Sequence, residues 1–310
     1  MAMKHFITVT DASRGDLGRI FELSFAMRQQ RREGGTIHPC LAGKTLAMIF
    51  EKPSLRTRAS VEQAVVELGG HPLNLQGSDI GIGKRETAAD VARVLGGMVD
   101  GIAARVFKHE VLVDLTSCSS VPVINLLSDE SHPCQALADV MTVMDEFGRD
   151  VSGRTIAFIG DGNNVARSLL VICGMLDMRF VLASPPDYEL DRDDVDSIKR
   201  DITGLQYEMT NDPMAAVKDA DVIYTDTWVS MGQESEGESR RAAFENYQVN
   251  RELVARAPKH AIVMHCLPAY RGSEITEEVL EGPQSRVFPQ AHNRLHAQKG
   301  LLAVLIGDGS

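Results

Sequence analysis

Short apolar runs alternate along the chain with longer segments whose apolar positions recur at helical spacing. This rhythm predicts an α/β fold with two doubly wound parallel-sheet domains joined by interdomain helices. In the first half the apolar runs predict strands over residues 45–50, 72–75, 101–104 and 121–125, with helices near 14–33, 55–69, 87–98 and 108–117. In the second half they predict strands over 155–160, 179–183, 205–209, 222–225 and 261–265. Residues 132–147 read as one helix, because Ala136, Leu137, Val140, Met141 and Met144 fall near helical spacing and Gly148 ends the run. This helix is the expected bridge between domains. The pattern over 293–306 is helical as well, whereas residues 232–250, where Ser and Gly interrupt Glu and Arg, read as a long loop.

Composition narrows the class of partner. A chain of 310 residues exceeds what one core usually holds, so two domains with a cleft between them are expected. With 32 Lys and Arg against 43 Asp and Glu, the formal charge is −11, which repels nucleic acid and anionic membranes at long range. Any anion site must therefore be local. No stretch approaches the roughly 20 apolar residues of a membrane span, and residues 1–6 lack the pattern of a secretory signal, so a cytoplasmic protein is expected. Cys40, Cys118, Cys134, Cys173 and Cys266 form no C-x-x-C pair, which argues against a disulfide framework or a structural zinc site.

In open parallel sheets ligands bind beyond the carboxyl ends of strands, so residues just after predicted strands are read first for chemistry. Ser54-Leu55-Arg56-Thr57-Arg58 follows one strand and opens a helix, placing hydroxyls and guanidiniums beside unpaired backbone N–H groups at the positive end of the helix dipole. That combination suits a phosphate; the plainer reading is a Ser cap with solvated arginines. Arg105 follows another strand and carries little weight alone. His132-Pro133-Cys134-Gln135 opens the bridging helix, where the histidine is either a buried, satisfied side chain or a donor to a carbonyl oxygen that gains charge. Asp226 to Gly232 contains the single Trp of the chain and follows a strand, offering an acid and a hydroxyl for an amine, or a capped turn. His265-Cys266-Leu267-Pro268 follows another, and Cys266 is not read as a covalent nucleophile. Gly160-Asp161-Gly162-Asn163-Asn164-Val165 begins like a dinucleotide fingerprint, but Val165 replaces its third glycine and no acid ends the next strand. No run binds a nucleoside triphosphate, so neither a cofactor nor a metal is expected.

Taken in order over nearly the whole chain, SLRTR, Arg105, HPCQ, GDGNN, DTWVSMG, HCLPA and the terminal NRLHAQK resemble the transcarbamylase family, and within it the branch that uses ornithine. The resemblance implies a carbamoyl phosphate domain over residues 1–131, with residues 293–310 packing back on it, and an ornithine domain over 132–292 that includes the linking helix. It implies transfer of a carbamoyl group from carbamoyl phosphate to the side-chain amine of L-ornithine, giving L-citrulline and phosphate in arginine metabolism. It further implies a homotrimer with shared active sites. By matching positions, Ser54, Leu55, Arg56, Thr57 and Arg105 hold the phosphate, His132 and Gln135 meet the carbamoyl group, and Arg294 closes on it. Asn164, Asp226, Ser230 and Met231 match ornithine-binding positions, while Cys266 and Leu267 lie between both substrates. Arg105, His132, Asp226, Cys266 and Arg294 are the implied catalytic set. Two positions depart from the family pattern. Leu55 stands where Thr is usual, losing a hydroxyl but no backbone N–H. Gly81 stands where a Gln reaches into the neighbouring subunit, with Lys84 as the substitute cation.

Overall fold

The structure is a computed structural model that describes residues 3–230 and 232–307. Two compact units divide the chain, Met1–Ala138 with His292–Ser310, and Asp139–Ala291. The first contains α1 (Arg14–Arg32), β1 (Thr45–Phe50), α2 (Leu55–Glu67), β2 (His71–Gln76), α3 (Gly77–Ile80), α4 (Ala88–Gly96), β3 (Gly101–Arg105), α5 (His109–Cys118), β4 (Val123–Leu127) and the start of α6 (Pro133–Phe147). The second continues through α6, β5 (Thr155–Ile159), α7 (Asn164–Met175), β6 (Arg179–Ala183), α8 (Arg192–Asp201), β7 (Gln206–Thr210), α9 (Pro213–Ala216), β8 (Val222–Thr225), α10 (Gly237–Phe244), α11 (Arg251–Val254), β9 (Ile262–His265), α12 (Glu277–Leu280) and the first turn of α13 (Val287–Leu305). The rest of α13 belongs to the first unit.

Each unit is a parallel sheet with helical crossovers, as the alternating pattern predicts. The strand orders are β2-β1-β3-β4 and β7-β6-β5-β8-β9, and every pairing is parallel. Central strands such as β1 and β5 are apolar on both faces because helices cover both, so they read as continuous runs rather than alternating ones. One core gathers Ala47, Ile49, Ile102 and Ala104 with Val91, Leu112 and Leu115; the other gathers Ala157, Ile159, Ile223 and Val263 with Trp228 and Phe244. The direction of winding reverses between β1 and β3 in one sheet and between β5 and β8 in the other. Such a reversal opens a crevice at the carboxyl ends of the two strands.

Most strand expectations hold to within a residue or two. The exception with a local cause is β4, which starts at Val123 rather than 121, because the Ser119 hydroxyl takes up the Val121 backbone in a turn and pairing with Phe6 begins at Val123. The expected loop over 232–250 is corrected more substantially. It contains α10, flanked by short 3₁₀ turns, and Phe244 at its end is buried against Tyr188 and Trp228 at ring-centroid distances of 4.8 and 5.9 Å. α13 begins at Val287, ahead of the expected 293. None of the described helices is long and apolar enough to cross a membrane.

Candidate active site

In the first unit, the register pairs Phe50 at the end of β1 with Arg105 at the end of β3, so the residues that follow β1 and Arg105 itself share the reversal point of the sheet. Ser54 caps α2, its Oγ accepting the Thr57 N–H at 3.3 Å, and no acid occupies the first turn. The start of the helix therefore keeps its positive field. Arg294 of α13, 2% exposed, donates from Nη2 to the Thr57 hydroxyl at 3.2 Å and from Nη1 to Gln135 Oε1 at 2.5 Å. His132 is buried just before α6, and burial, followed by the charges of Arg294, Arg105 and Arg56, holds its imidazole well below the usual histidine range. The ring is neutral at pH 7 and can still donate one hydrogen bond.

Lys52, which the sequence reading passed over, is a further cation here. It is buried with Nζ 4.5 Å from the centroid of the Phe107 ring, and burial, then Arg105, lowers its pKa. Arg58 instead lays its guanidinium 4.7 Å from the Phe50 ring centroid. Leu55 is 79% exposed, so what it can present to an anion is its backbone N–H. Gly81 adopts a left-handed φ of 67° at the end of α3, and Lys84 beyond it is exposed.

In the second unit, the residues after β5, β8 and β9 converge. Asn163 Oδ1 caps α7 by accepting from Val165 and Ala166 N–H at 2.9 and 3.1 Å, and its Nδ2 donates to Asp226 Oδ2 at 2.9 Å. Asn164 follows as the first residue of α7 and is half-buried. Asp226 Oδ1 accepts from Thr227 N–H at 2.7 Å and from the Cys266 thiol at 3.0 Å. Cys266 thus donates as a thiol to that carboxylate. Ser230 is half-buried, and its N–H is held by Gln233 Oε1 at 3.0 Å. Met231 lies outside the described residues.

One further group was hidden from the sequence. Arg240 of α10 donates to Asp161 Oδ2 at 3.0 Å and to the Trp228 carbonyl at 3.1 Å, tying the loops after β5 and β8 together. Burial still raises the Asp161 carboxyl to about 6. Gly162 approaches Glu189 and Leu190 so closely that a Cβ would lie 2.4 Å from Leu190 N. The signal for Arg240 was weak, since a buried charge looks like a surface one in sequence. Asn163 could have been found as the polar residue at the start of a helix after a glycine turn.

Asp226, His265 and Cys266 each present one ligand atom within 4.8 Å of the others, close enough to span a metal ion. Both ring nitrogens of His265 are engaged, Nδ1 by Leu267 N–H at 2.8 Å and Nε2 by Glu274 Oε1 at 3.1 Å. Ligation by His265 would break one of these bonds.

Comparison with known proteins matches two family profiles in series along the chain. The profile of the aspartate/ornithine carbamoyltransferase carbamoyl-P binding domain matches residues 4–145, and that of the Asp/Orn binding domain matches residues 152–305. The chain belongs to the aspartate/ornithine carbamoyltransferase family. Among curated members, the chain is 48% identical over 309 residues to an ornithine carbamoyltransferase of Thermococcus kodakarensis, covering 99% of this chain and 98% of the relative. A solved ornithine carbamoyltransferase from Pyrococcus furiosus superimposes with a TM-score of 0.94 at 46% identity, covering 99% of this chain and 98% of the other. The corresponding structure from Thermus thermophilus gives 0.87 at 40% identity, covering 99% and 100%. In the terms of the carbamoyltransferase family, Ser54, Arg56, Thr57, Arg105, His132 and Gln135 lie within the residues matched to carbamoyl-P binding, whereas Arg294 and the Asp226 half-site lie within those matched to Asp/Orn binding.

Proposed function

We propose that this protein transfers the carbamoyl group of carbamoyl phosphate to the side-chain amine of L-ornithine, releasing L-citrulline and phosphate in arginine biosynthesis. The observation that carries this reading is the cluster of Arg56, Arg105 and Arg294 around a neutral, buried His132 at the reversal point of the first sheet. The amine nitrogen attacks the carbonyl carbon, and the carbon–oxygen bond to phosphate then breaks with its electron pair leaving on phosphate. Each cation about 4 Å from that phosphate contributes on the order of 4 kcal/mol at an effective dielectric near 20. Ser54, Leu55 through its backbone, Arg56, Thr57 and Arg105 hold the phosphate, and Lys52 adds charge beside Arg105. His132 and Arg294 donate to the carbonyl oxygen as it gains charge, with Gln135 fixing Arg294.

The second half-site receives ornithine. Its side-chain amine must lose a proton to attack, and a free amine of this type has a pKa near 10.4. Removal from water lowers that value, and binding both substrates together supplies proximity. A carboxylate beside the reacting nitrogen would oppose deprotonation, so Asp226 orients the substrate through its α-amino group, and Cys266 positions the nucleophile. Asn164, Ser230, Met231 and Leu267 complete the amino-acid contacts.

Residues 1–131 with 293–310, joined by His132 and Gln135 from the start of α6, serve the first substrate and the rest of 132–292 the second, in a cytoplasmic homotrimer whose subunits share active sites, Lys84 reaching across. Exposed Val94 on α4, Met98 just beyond its end and Val113 on α5 support an apolar contact with another copy. The deciding experiment is a citrulline assay with carbamoyl phosphate and a panel of ornithine, aspartate, putrescine and acylated ornithine. Product from ornithine is expected. A carbamoylated product from another acceptor and none from ornithine would reassign the substrate.

A further inference from the structure

Leu267 has φ of 60°, in the left-handed region that a leucine occupies only when its surroundings hold it there. The holding contact is its backbone N–H, which donates to His265 Nδ1 at 2.8 Å. Because Nδ1 accepts, the ring proton is on Nε2, where it is donated to Glu274 Oε1 at 3.1 Å. The same oxygen accepts the Tyr270 N–H at 2.6 Å, so the carboxylate holds the ring and the far end of the loop together. His265 is fully buried and Glu274 is 1% exposed, whereas Cys266 and Leu267 between them are only half-buried. The main-chain N–H of His265 is itself fixed by buried Gln290 at 2.9 Å. A rigid, satisfied polar frame therefore sits beneath a two-residue loop whose thiol reaches Asp226.

We propose that His265 and Glu274 are a positioning pair for the amino-acid half-site, with the single imidazole tautomer fixing the backbone turn that presents Cys266 and Leu267 to the amine substrate. This rests on the reading of that half-site given above. His265 touches no substrate; it acts through the Leu267 N–H. The geometry separates two conservative replacements: asparagine places an oxygen where Nδ1 stands, and glutamine places its amide where Nε2 stands.

The test compares His265→Asn and His265→Gln in the full chain by steady-state kinetics, thermal midpoints, carbamoyl phosphate binding by calorimetry, and crystal structures. His265→Gln loses the acceptor for Leu267 N–H and is expected to raise the ornithine KM at least about tenfold. His265→Asn keeps it and is expected to stay within about threefold of wild type, even if its thermal midpoint falls further. Carbamoyl phosphate binding is expected to be unchanged in both. Equal ornithine KM values in the two variants, or losses that simply follow the thermal midpoints, would overturn the proposal. If wild type forms no citrulline, the functional reading has failed, and the structures alone decide: Leu267 leaving positive φ in His265→Gln but not in His265→Asn supports the frame, and an unchanged loop in both overturns it. Should His265→Gln not fold, Glu274→Gln replaces it, with a raised ornithine KM expected and an unchanged one counting against the proposal.

Discussion

Three guanidiniums act on one uncharged imidazole at His132, and the electrostatics leave that ring a donor's role rather than a proton carrier's. Replacing Arg105 by Met removes one of these cations while keeping a long unbranched side chain. The carbamoyl phosphate kcat/KM should then fall by roughly 10²-fold or more, with ornithine KM much less affected. A loss confined to ornithine would move Arg105 out of the phosphate site. Asp226 gives the converse case. Asp226→Asn keeps the shape but can accept from only one of Asn163 Nδ2 and Thr227 N–H, and it removes the charge that orients an ammonium, so ornithine affinity should drop about tenfold or more. Unchanged ornithine affinity and turnover would end that role for the residue.

At the scale of single elements, α2 and α7 do the same thing in different units: a polar side chain caps a helix that opens where a central strand stops. Ser54 was legible because the cap, the arginines and the apolar strand before them are contiguous in sequence. The approach of Arg294 to Thr57 was not, since partners so far apart along the chain leave no local trace; the family resemblance alone suggested it. α10 escaped detection because Arg240, its buried charge, looks like solvent-facing polarity, although Arg240 and Phe244 lie four residues apart on one helical face. Gly162→Ala tests the packing of the loop before α7. With a Cβ 2.4 Å from Leu190 backbone, the substitution should destabilise the protein by about 1–3 kcal/mol in urea unfolding and weaken ornithine binding. Unaltered stability would mean that this contact relaxes freely.

For the whole molecule, acid should be destabilising well before most carboxylates titrate, with Asp161, raised to about 6, offsetting only part of the effect. Burial first, then nearby cations, hold His132 well below 6.5 and His296 at about 3. The unfolded chain thus binds protons below about pH 6.5 that the folded chain refuses, so stability is full above that pH and declines as pH falls towards the folded values. Each such histidine adds a slope of up to about 1.4 kcal/mol per pH unit. The urea midpoint should fall between pH 7 and pH 5, and His296→Gln should flatten the decline. A flat wild-type profile would show that these rings accept protons when folded. The proposed trimer is testable at the same scale: if it forms, Val94→Asp with Met98→Asp should reduce the mass seen by light scattering, and an unchanged mass would exclude that surface from the contact.

Because each sheet has its own reversal point, the grip on the leaving group and the choice of acceptor are written in separate stretches of chain. New acceptors can therefore arise by rewriting the turns after β8 and β9 while the acyl phosphate chemistry is inherited intact, so divergence among such enzymes should concentrate in one half of the gene.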